Sequence, residues 1–482
     1  MAAPEAGQHP PTAPTLATIT GLVFVAVAIA VGIERLNDNS FLTHLATGRL
    51  IRSSGIPRVD PYTFTVFGDP WVVQSWLPSW LYASLESVWG LNGVRVLTAV
   101  LYAAIVAILW RLTEPAAGFV VRVLVAAVAL AAMFGFLAER PFLIGLVAFG
   151  LCVLAGEGRL DPRLLVPAGW IWVNSHGSFP LGAVVLTVML VGGLLDRRAV
   201  RVEAGALGWL LCGFVLGAFN PLGPRLLWFP IELLGRSSVL RSTILEWKPL
   251  ALDTGSQIAF VLLAVLAVWS VVRQRSWRAA SLAVVFVVAA LASRRNVPIA
   301  VLALAPVVAS GLPAVGTLTG LERPKASRVA VAALCVLTAL YVTVALRQPP
   351  TAFLAYPVES IDALEDAGLS GPGTTARLVA PDYVGNYLSA RYGSDAHSFV
   401  DDRYDLFPLD LIDDYGVLVR VDGDPGEVLD RYDADIVLWR TDEPLHEWLD
   451  ASDEWVPAGA GGELWGLHCR IGSDAAAFCS GD

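Results

Sequence analysis

Residues 15–33, TLATITGLVFVAVAIAVGI, run for 19 positions without a charge. As a helix, such a run is long enough to cross about 30 Å of hydrocarbon. Comparable apolar runs recur at 92–112, 117–138, 141–157, 164–176, 180–196, 203–219, 256–273, 278–293, 297–312 and 329–346. The pattern predicts eleven membrane-spanning helices, the 164–176 run being the shortest. No basic segment precedes the first run, which reads as a retained anchor rather than a signal peptide.

Beyond residue 346 the pattern changes. Apolar or β-rich stretches at 376–380, 398–400, 435–439 and 464–471 alternate with helix-like stretches at 358–367, 383–392 and 426–432. That alternation predicts a small open sheet covered by helices. The fold class is therefore an α-helical polytopic membrane protein with a C-terminal soluble α/β domain. Its parts are a disordered N-terminus at 1–14, a membrane part at 15–346 with a large first exterior loop at 34–91, and a tail at 347–482.

Composition supports the division. Of the 482 residues 55% are hydrophobic and only 16% charged, where soluble chains carry about 25%. A charge at the bilayer centre costs at least ~2.5 kcal/mol. The tail holds 27 acids and eight arginines and no lysine, and the rest of the chain 16 acids and 25 Lys/Arg. So acidic a tail argues against a nucleic-acid partner.

Basic residues in short loops set orientation. One alternate set of loops carries Arg111, Arg159, Arg163, Arg197, Arg198, Arg201, Arg273, Arg275, Arg278, Arg323, Lys325 and Arg328. That set is expected on the cytoplasmic side of the membrane, with the N-terminus. The opposite loops and the tail are then extracytoplasmic. Cys152, Cys212 and Cys335 lie in apolar runs and read as packing residues. Cys469 and Cys479 can pair if the tail meets an oxidising compartment, and are otherwise free thiols.

Candidate chemistry begins in the first exterior loop. Asp38 directly follows the first span. An acid at that boundary can serve as base for an acceptor hydroxyl, ligate a divalent cation beside a lipid phosphate, or simply cap a helix. FLTHLATGRLI after it is amphipathic enough to lie along an interface. The other exterior loops bring Glu139-Arg140, Asn174 and His176, Glu246-Trp247 and Arg294-Arg295. Paired arginines are disfavoured on the exterior side, and a phosphate partner explains them. In the tail, Asp401-Asp402-Arg403 follows an expected strand, where sheets often bind ligands. No Walker loop, GxGxxG, HExxH or GxSxG occurs.

These residues resemble a group of bacterial membrane proteins related to the C-type glycosyltransferase (GT-C) superfamily. The shared first-loop pattern is D-x-D-x-x-x-H-L-x-T-G, found here at Asp38 through Gly48, then Gly55 through Thr65, Gly68-Asp69-Pro70-Trp71 and Trp76-Leu77. Arg140-Pro141, Trp172-x-Asn174-x-His176-Gly177, Asn220-Pro221-x-Gly223, Glu246-Trp247, Arg294-Arg295, Gly385-x-Tyr387-Leu388 and Asp401-x-Arg403 continue it. One departure stands out, Ser40 in place of the second acid.

The resemblance implies transfer of a sugar from a polyprenyl-phosphate carrier to an extracytoplasmic glycan, lipid or protein acceptor. Asp38 would be the base, and His176 and Glu246 would orient the acceptor or the leaving phosphate. Arg140, Arg294 and Arg295 would hold the phosphate. His44, Asp60, Asn174, Trp247, Asp401 and Arg403 would complete the substrate-binding set. With a single acid in the first loop, a divalent cation remains an open addition and no metal ligand is assigned. The alternative is a non-catalytic envelope-assembly or scaffold protein with this fold, which Ser40 favours. The lack of Gly/Pro-interrupted paired halves counts against a transporter.

Overall fold

The computed structural model describes residues 14–235, 247–316, 324–353, 356–458 and 463–480. A helix forms at each of the eleven apolar runs: α1 (Leu16–Gly32), α4 (Leu91–Leu112), then Phe119–Phe134, Phe142–Gly156, Leu165–Val173, Pro180–Leu195, Arg201–Gly217, Gly255–Gln274, Trp277–Ala292, Val297–Gly311 and Pro324–Ala345. Their starts follow local chemistry. The Thr254 and Ser276 hydroxyls accept the backbone N–H groups of Gln257 and Ala279. Pro180 and Pro298 sit in first turns, where a missing N–H costs nothing.

Among the described residues, α4, Gly255–Gln274 and Ala326–Ala345 are long and apolar enough to cross a membrane by themselves. Leu165–Val173 has nine residues, a rise of about 14 Å, and falls well short of a membrane's thickness. The count of eleven spans is therefore not established by helix length.

Val297–Gly311 is buried along 14 of its 15 residues and packs against α4, Phe119–Phe134, Phe142–Gly156, Gly255–Gln274 and Trp277–Ala292. A helix apolar on every side belongs at the centre of a bundle. Pro324–Ala345 is the opposite case. It packs on α1 and leaves Val329, Val336, Leu337, Leu340 and Val344 exposed, the surface of a membrane-embedded chain.

The two sets of loops lie at different ends of the bundle. Arg111 donates to the Arg159 carbonyl, Arg278 pairs with Glu157 and Glu203, and Asp196 accepts from Ser276 and Trp277. These contacts join the basic loops to one another. The other set converges around α2 (Ser40–Ser54) and α3 (Trp76–Trp89).

The amphipathic expectation for α2 is met as a helix, but its apolar face meets protein. It lies between α3 and the tail helix Asp382–Tyr392, with Phe41, Leu42 and Leu45 packed against Tyr82 and Ala83. The crossing with α3 requires Gly48, because a Cβ there would stand 1.9 Å from the Ser79 carbonyl oxygen.

The tail carries a four-stranded sheet in the order β1-β2-β4-β3, with β1 (Leu378–Val379), β2 (Ile436–Arg440), β3 (Trp455–Ala458) and β4 (Trp465–Arg470). β1 and β2 run parallel and the other pairs antiparallel. The expected strand at 398–400 reduces to single bridges from Ser398 to Leu378 and to Thr63 of the first loop. The first loop thus extends the tail's sheet, and the Thr65 hydroxyl donates to the Phe399 carbonyl beside it. β3 and the helices Leu409–Arg420, Pro444–Asp450 and Ala476–Ser480 were not expected from the pattern. Cys469 and Cys479 form a disulfide, with sulfurs 2.00 Å apart.

Candidate active site

Asp38 sits between α1 and α2. Its Oδ1 accepts the Ser40 backbone N–H at 2.9 Å, satisfying the first N–H of α2 from the residue before the N-cap Asn39. It also receives Arg140. The guanidinium Nε lies 2.9 Å from both carboxylate oxygens and one Nη lies 2.7 Å from Oδ2. Arg140 arrives from the turn before Phe142–Gly156. The ordinary helix-start role and the candidate site role therefore fall on one carboxylate.

A cavity of about 470 Å³ opens beside this pair, a size suited to a small ligand. Of the residues singled out in the sequence, Asp38, His44, Arg140, His176, Arg294, Arg295 and Arg403 line it. They come from separate turns: the first loop, the loops before Phe142 and before Pro180, the short turn Arg294–Asn296, and the tail. Ser40, Gln74, Gln257, Asp402 and Asp405 add polar groups.

Both histidines are neutral near pH 7. Burial, helped by Arg140 and opposed by Asp38, lowers His44 to about 4. Burial, then Arg295, His44 and Arg140, lowers His176 to about 3. The Nδ1 of His176 accepts the Ser178 N–H at 3.1 Å, so the neutral ring carries its proton on Nε2. It can donate one hydrogen bond but is no cation for a phosphate.

The arginines supply the positive charge. Arg295 stacks over the Trp247 ring at 4.5 Å. Arg294 stands 3.9 Å from Asp253, and its buried Nε has no hydrogen-bond partner among the described residues. The buried Oε1 of Gln74 is equally unsatisfied. Unpaired buried polar atoms in a cavity wall call for an explanation, and a polar ligand is one.

Several expected substrate groups serve the architecture instead. Asn174 is buried and away from the cavity lining. Its Oδ1 accepts from Trp76 Nε1 at 2.9 Å and its Nδ2 donates to the Trp170 carbonyl at 2.8 Å, tying the first loop to Leu165–Val173. Trp247 supports Arg295 without lining the cavity.

Asp60 and Asp401 are 1% and 0% exposed, with no carboxylate oxygen left for a substrate. Asp60 accepts the Tyr62 and Thr63 N–H groups and the Thr63 hydroxyl. Arg403 joins them, with Nη1 2.7 Å from Asp60 and Nη2 2.6 Å from Asp401. Its guanidinium lies against both the Tyr62 and Trp71 rings, at 4.8 and 4.5 Å. This buried cluster fastens the first loop to the tail. Glu246 lies outside the described residues.

Removing one partner of a buried ion cluster costs about 3–5 kcal/mol. Arg403→Met is accordingly expected to lower the thermal unfolding temperature of the full-length protein in detergent, while Asp442→Asn, which removes an exposed tail pair with Arg440, leaves it nearly unchanged. Equal shifts would contradict a docking role for the cluster.

Sequence reasoning did not single out Gln74, Gln257 or Asp405, and it named Asp402 only as part of a run, with no role of its own. Asp402 shares that run with Asp401 and Arg403, and nothing in it says which acid faces the cavity. Burial and the neighbouring Asp401 raise its carboxyl to about 7, the Ser40 hydroxyl and Arg140 pulling the other way and Asp382 adding to the rise.

Asp38 gives both oxygens to Arg140, so in this arrangement the first loop's carboxylate offers no free oxygen to a cation. Among the described residues, His446, Asp450 and His468 are close enough together to hold a metal ion, and they belong to the tail, outside the cavity.

The helical bundle, the polar cavity at its first large loop and the tail domain over that loop form a fold shared with solved oligosaccharyltransferases. The chain is similar to the oligosaccharyltransferase AglB of the archaeon Archaeoglobus fulgidus, solved with an inhibitory peptide and a dolichol-phosphate. The TM-score is 0.51 and the identity 14%, over 88% of this chain and 69% of that one. The same organism's oligosaccharyltransferase in its apo form matches at TM-score 0.50 and 12% identity, with the same coverage. A mycobacterial arabinofuranosyltransferase, AftD, matches at 0.41 and 16%, over 93% of this chain and 41% of that one. At such identities the likeness is one of fold. No protein-family model matches the sequence, and no curated protein matches it.

Proposed function

We propose that the protein transfers a sugar from a polyprenyl-phosphate donor to an extracytoplasmic acceptor in this cavity. The observation that carries the reading is the convergence of Asp38, Arg140, His176, Arg294 and Arg295, from distant parts of the chain, on one cavity. Arg294 and Arg295 hold the donor phosphate, and the unpaired Nε of Arg294 suits that task. Arg140 reaches both the phosphate and Asp38. His176 donates from Nε2 to an acceptor or phosphate oxygen. Charge leaving with the phosphate is stabilised by groups already in position.

Two carboxylates at the cavity are candidates for the acceptor's proton. Asp38 is the candidate that the first loop offers, and to serve it has to be released by Arg140, which holds both its oxygens. Asp402 is the other. The N-terminus is placed in the cytoplasm and the tail outside, supported by the basic loops at the far end of the bundle and by the Cys469–Cys479 disulfide. In this scheme the eleven apolar runs alternate across the membrane, Leu165–Val173 doing so only together with its flanking turns, and residues 347–482 form the domain that covers the cavity and selects the acceptor.

Binding of undecaprenyl phosphate to the purified full-length protein tests the reading. Wild type is expected to bind, and Arg294→Gln with Arg295→Gln to bind at least about 10-fold more weakly, since charged hydrogen bonds contribute about 1.5–3 kcal/mol. Equal binding by both proteins would count against a phosphate site.

A further inference from the structure

We infer that Asp402, rather than Asp38, is the carboxylate that takes the acceptor's proton, so that the tail supplies in space the second acid that the first loop lacks in sequence. This rests on the glycosyl-transfer reading above. In the step, the acceptor oxygen attacks the anomeric carbon. The bond from that carbon to the phosphate oxygen breaks, and its electron pair leaves with the polyprenyl phosphate. The acceptor's O–H proton passes to an Asp402 oxygen.

Three observations converge on Asp402. The first is placement. The carboxylate lines the cavity together with Asp38, Arg140 and His176. Its backbone N–H donates to Asn386 Oδ1 at 3.1 Å, and that same oxygen accepts the Thr43 hydroxyl of α2 at 2.6 Å. One buried asparagine therefore clamps the Asp402 turn to the first loop's helix.

The second concerns Ser40. Its backbone N–H donates to Asp38, and its side chain lines the cavity with Asp402, where it favours that carboxyl's ionised form. A residue at position 40 thus faces Asp402. An aspartate there would set two carboxylates against each other in a poorly solvated wall, where like charges cannot both ionise cheaply. Serine at 40 and aspartate at 402 form a compatible pair, and the departure at Ser40 becomes an exchange of position rather than a loss of chemistry.

The third is the state of the two acids. Asp38 has both oxygens on the Arg140 fork. A carboxylate so paired makes a poor base while its arginine stays, and holds that arginine in aim. Asp402 instead shares its stretch of wall with Ser40. Its near neighbours are Ser40, Arg140, Asp401 and Asp382, with Tyr356 and Tyr404 also in its field. Burial among them leaves its carboxyl titrating near 7, where a general base works best.

The test uses the full-length protein carrying Asp402→Asn, an isosteric change. Three things are measured: sugar-transfer product in deletion cells complemented by each form, read by mass spectrometry of envelope glycans and glycolipids; binding of undecaprenyl phosphate by purified protein; and thermal unfolding at pH 8 and pH 5. The expected result is at least about 100-fold less product, unchanged lipid-phosphate binding, and an unfolding temperature equal to or above wild type at pH 8.

The sign of the last effect follows from the raised pKa. At pH 8 wild type holds an ionised carboxylate that folding disfavours, and asparagine removes it. At pH 5 the wild-type group is already protonated, and the gain shrinks.

Product retained by Asp402→Asn overturns the inference and leaves the glycosyl-transfer reading intact. Loss of product together with lipid-phosphate binding, or with an unfolding temperature below wild type at both pH values, also overturns it, because Asp402 would then serve binding or folding. If wild-type complementation yields no product beyond the deletion strain, the glycosyl-transfer reading fails and this inference with it.

Discussion

Arg140→Gln is expected to reduce sugar transfer by about 100-fold or more and to weaken undecaprenyl phosphate binding by about 10-fold. The arginine holds the Asp38 carboxylate and lines the cavity where the proposed phosphate would sit. Its three short contacts, from 2.7 to 2.9 Å, fix the guanidinium plane. Glutamine removes the charge and the fork together. Arg140→Lys separates those two contributions. It keeps the charge but loses the fork, so phosphate binding should fall less than transfer does. If lysine restored transfer in full, the planar fork would have no part in the mechanism.

Asp38→Asn is expected to abolish most transfer, again by about 100-fold, while expression and membrane insertion stay normal. The reason is indirect. Asparagine can still accept the Ser40 N–H, which keeps the fold, but it cannot hold Arg140 as a carboxylate does. The informative comparison is the double variant. If Asp38 acts by aiming Arg140, Asp38→Asn with Arg140→Gln should be no worse than Arg140→Gln alone, because both changes remove one unit. Multiplying losses would instead assign Asp38 its own proton-transfer step. Measuring product from the four forms in one deletion background settles the point.

The bundle was largely legible in the sequence because burial in lipid or in a helical core imposes long uncharged runs. Each of the eleven runs became a helix within a few residues of its expected bounds. Helix length is another matter, since a nine-residue element such as Leu165–Val173 can finish an apolar run that looks like a span. The tail was less legible. Leu409–Arg420 alternates acids with leucines and isoleucine closely enough to pass for a polar connection, and β3 contains a proline, a weak mark of a strand.

The site was legible where charge contradicted its surroundings. Arg140, Arg294 and Arg295 stand out at the ends of apolar runs, and all three reach the cavity. Motif membership alone did not separate chemistry from scaffolding. Asn174, Asp60 and Asp401 belong to the same resemblance, yet each spends its polar atoms on the protein. Asp402 was hidden because its position depends on a contact between residues more than 300 apart in the chain, the pairing of Thr43 with Asn386. No local pattern carries that information.

The most direct measurement compares envelope glycans and glycolipids from wild-type and deletion cells by mass spectrometry, with the wild-type gene restored as control. The account predicts that deletion removes a specific glycosyl unit from an exterior product and that its polyprenyl-phosphate donor accumulates. Identical glycan and glycolipid profiles in all three strains would contradict it.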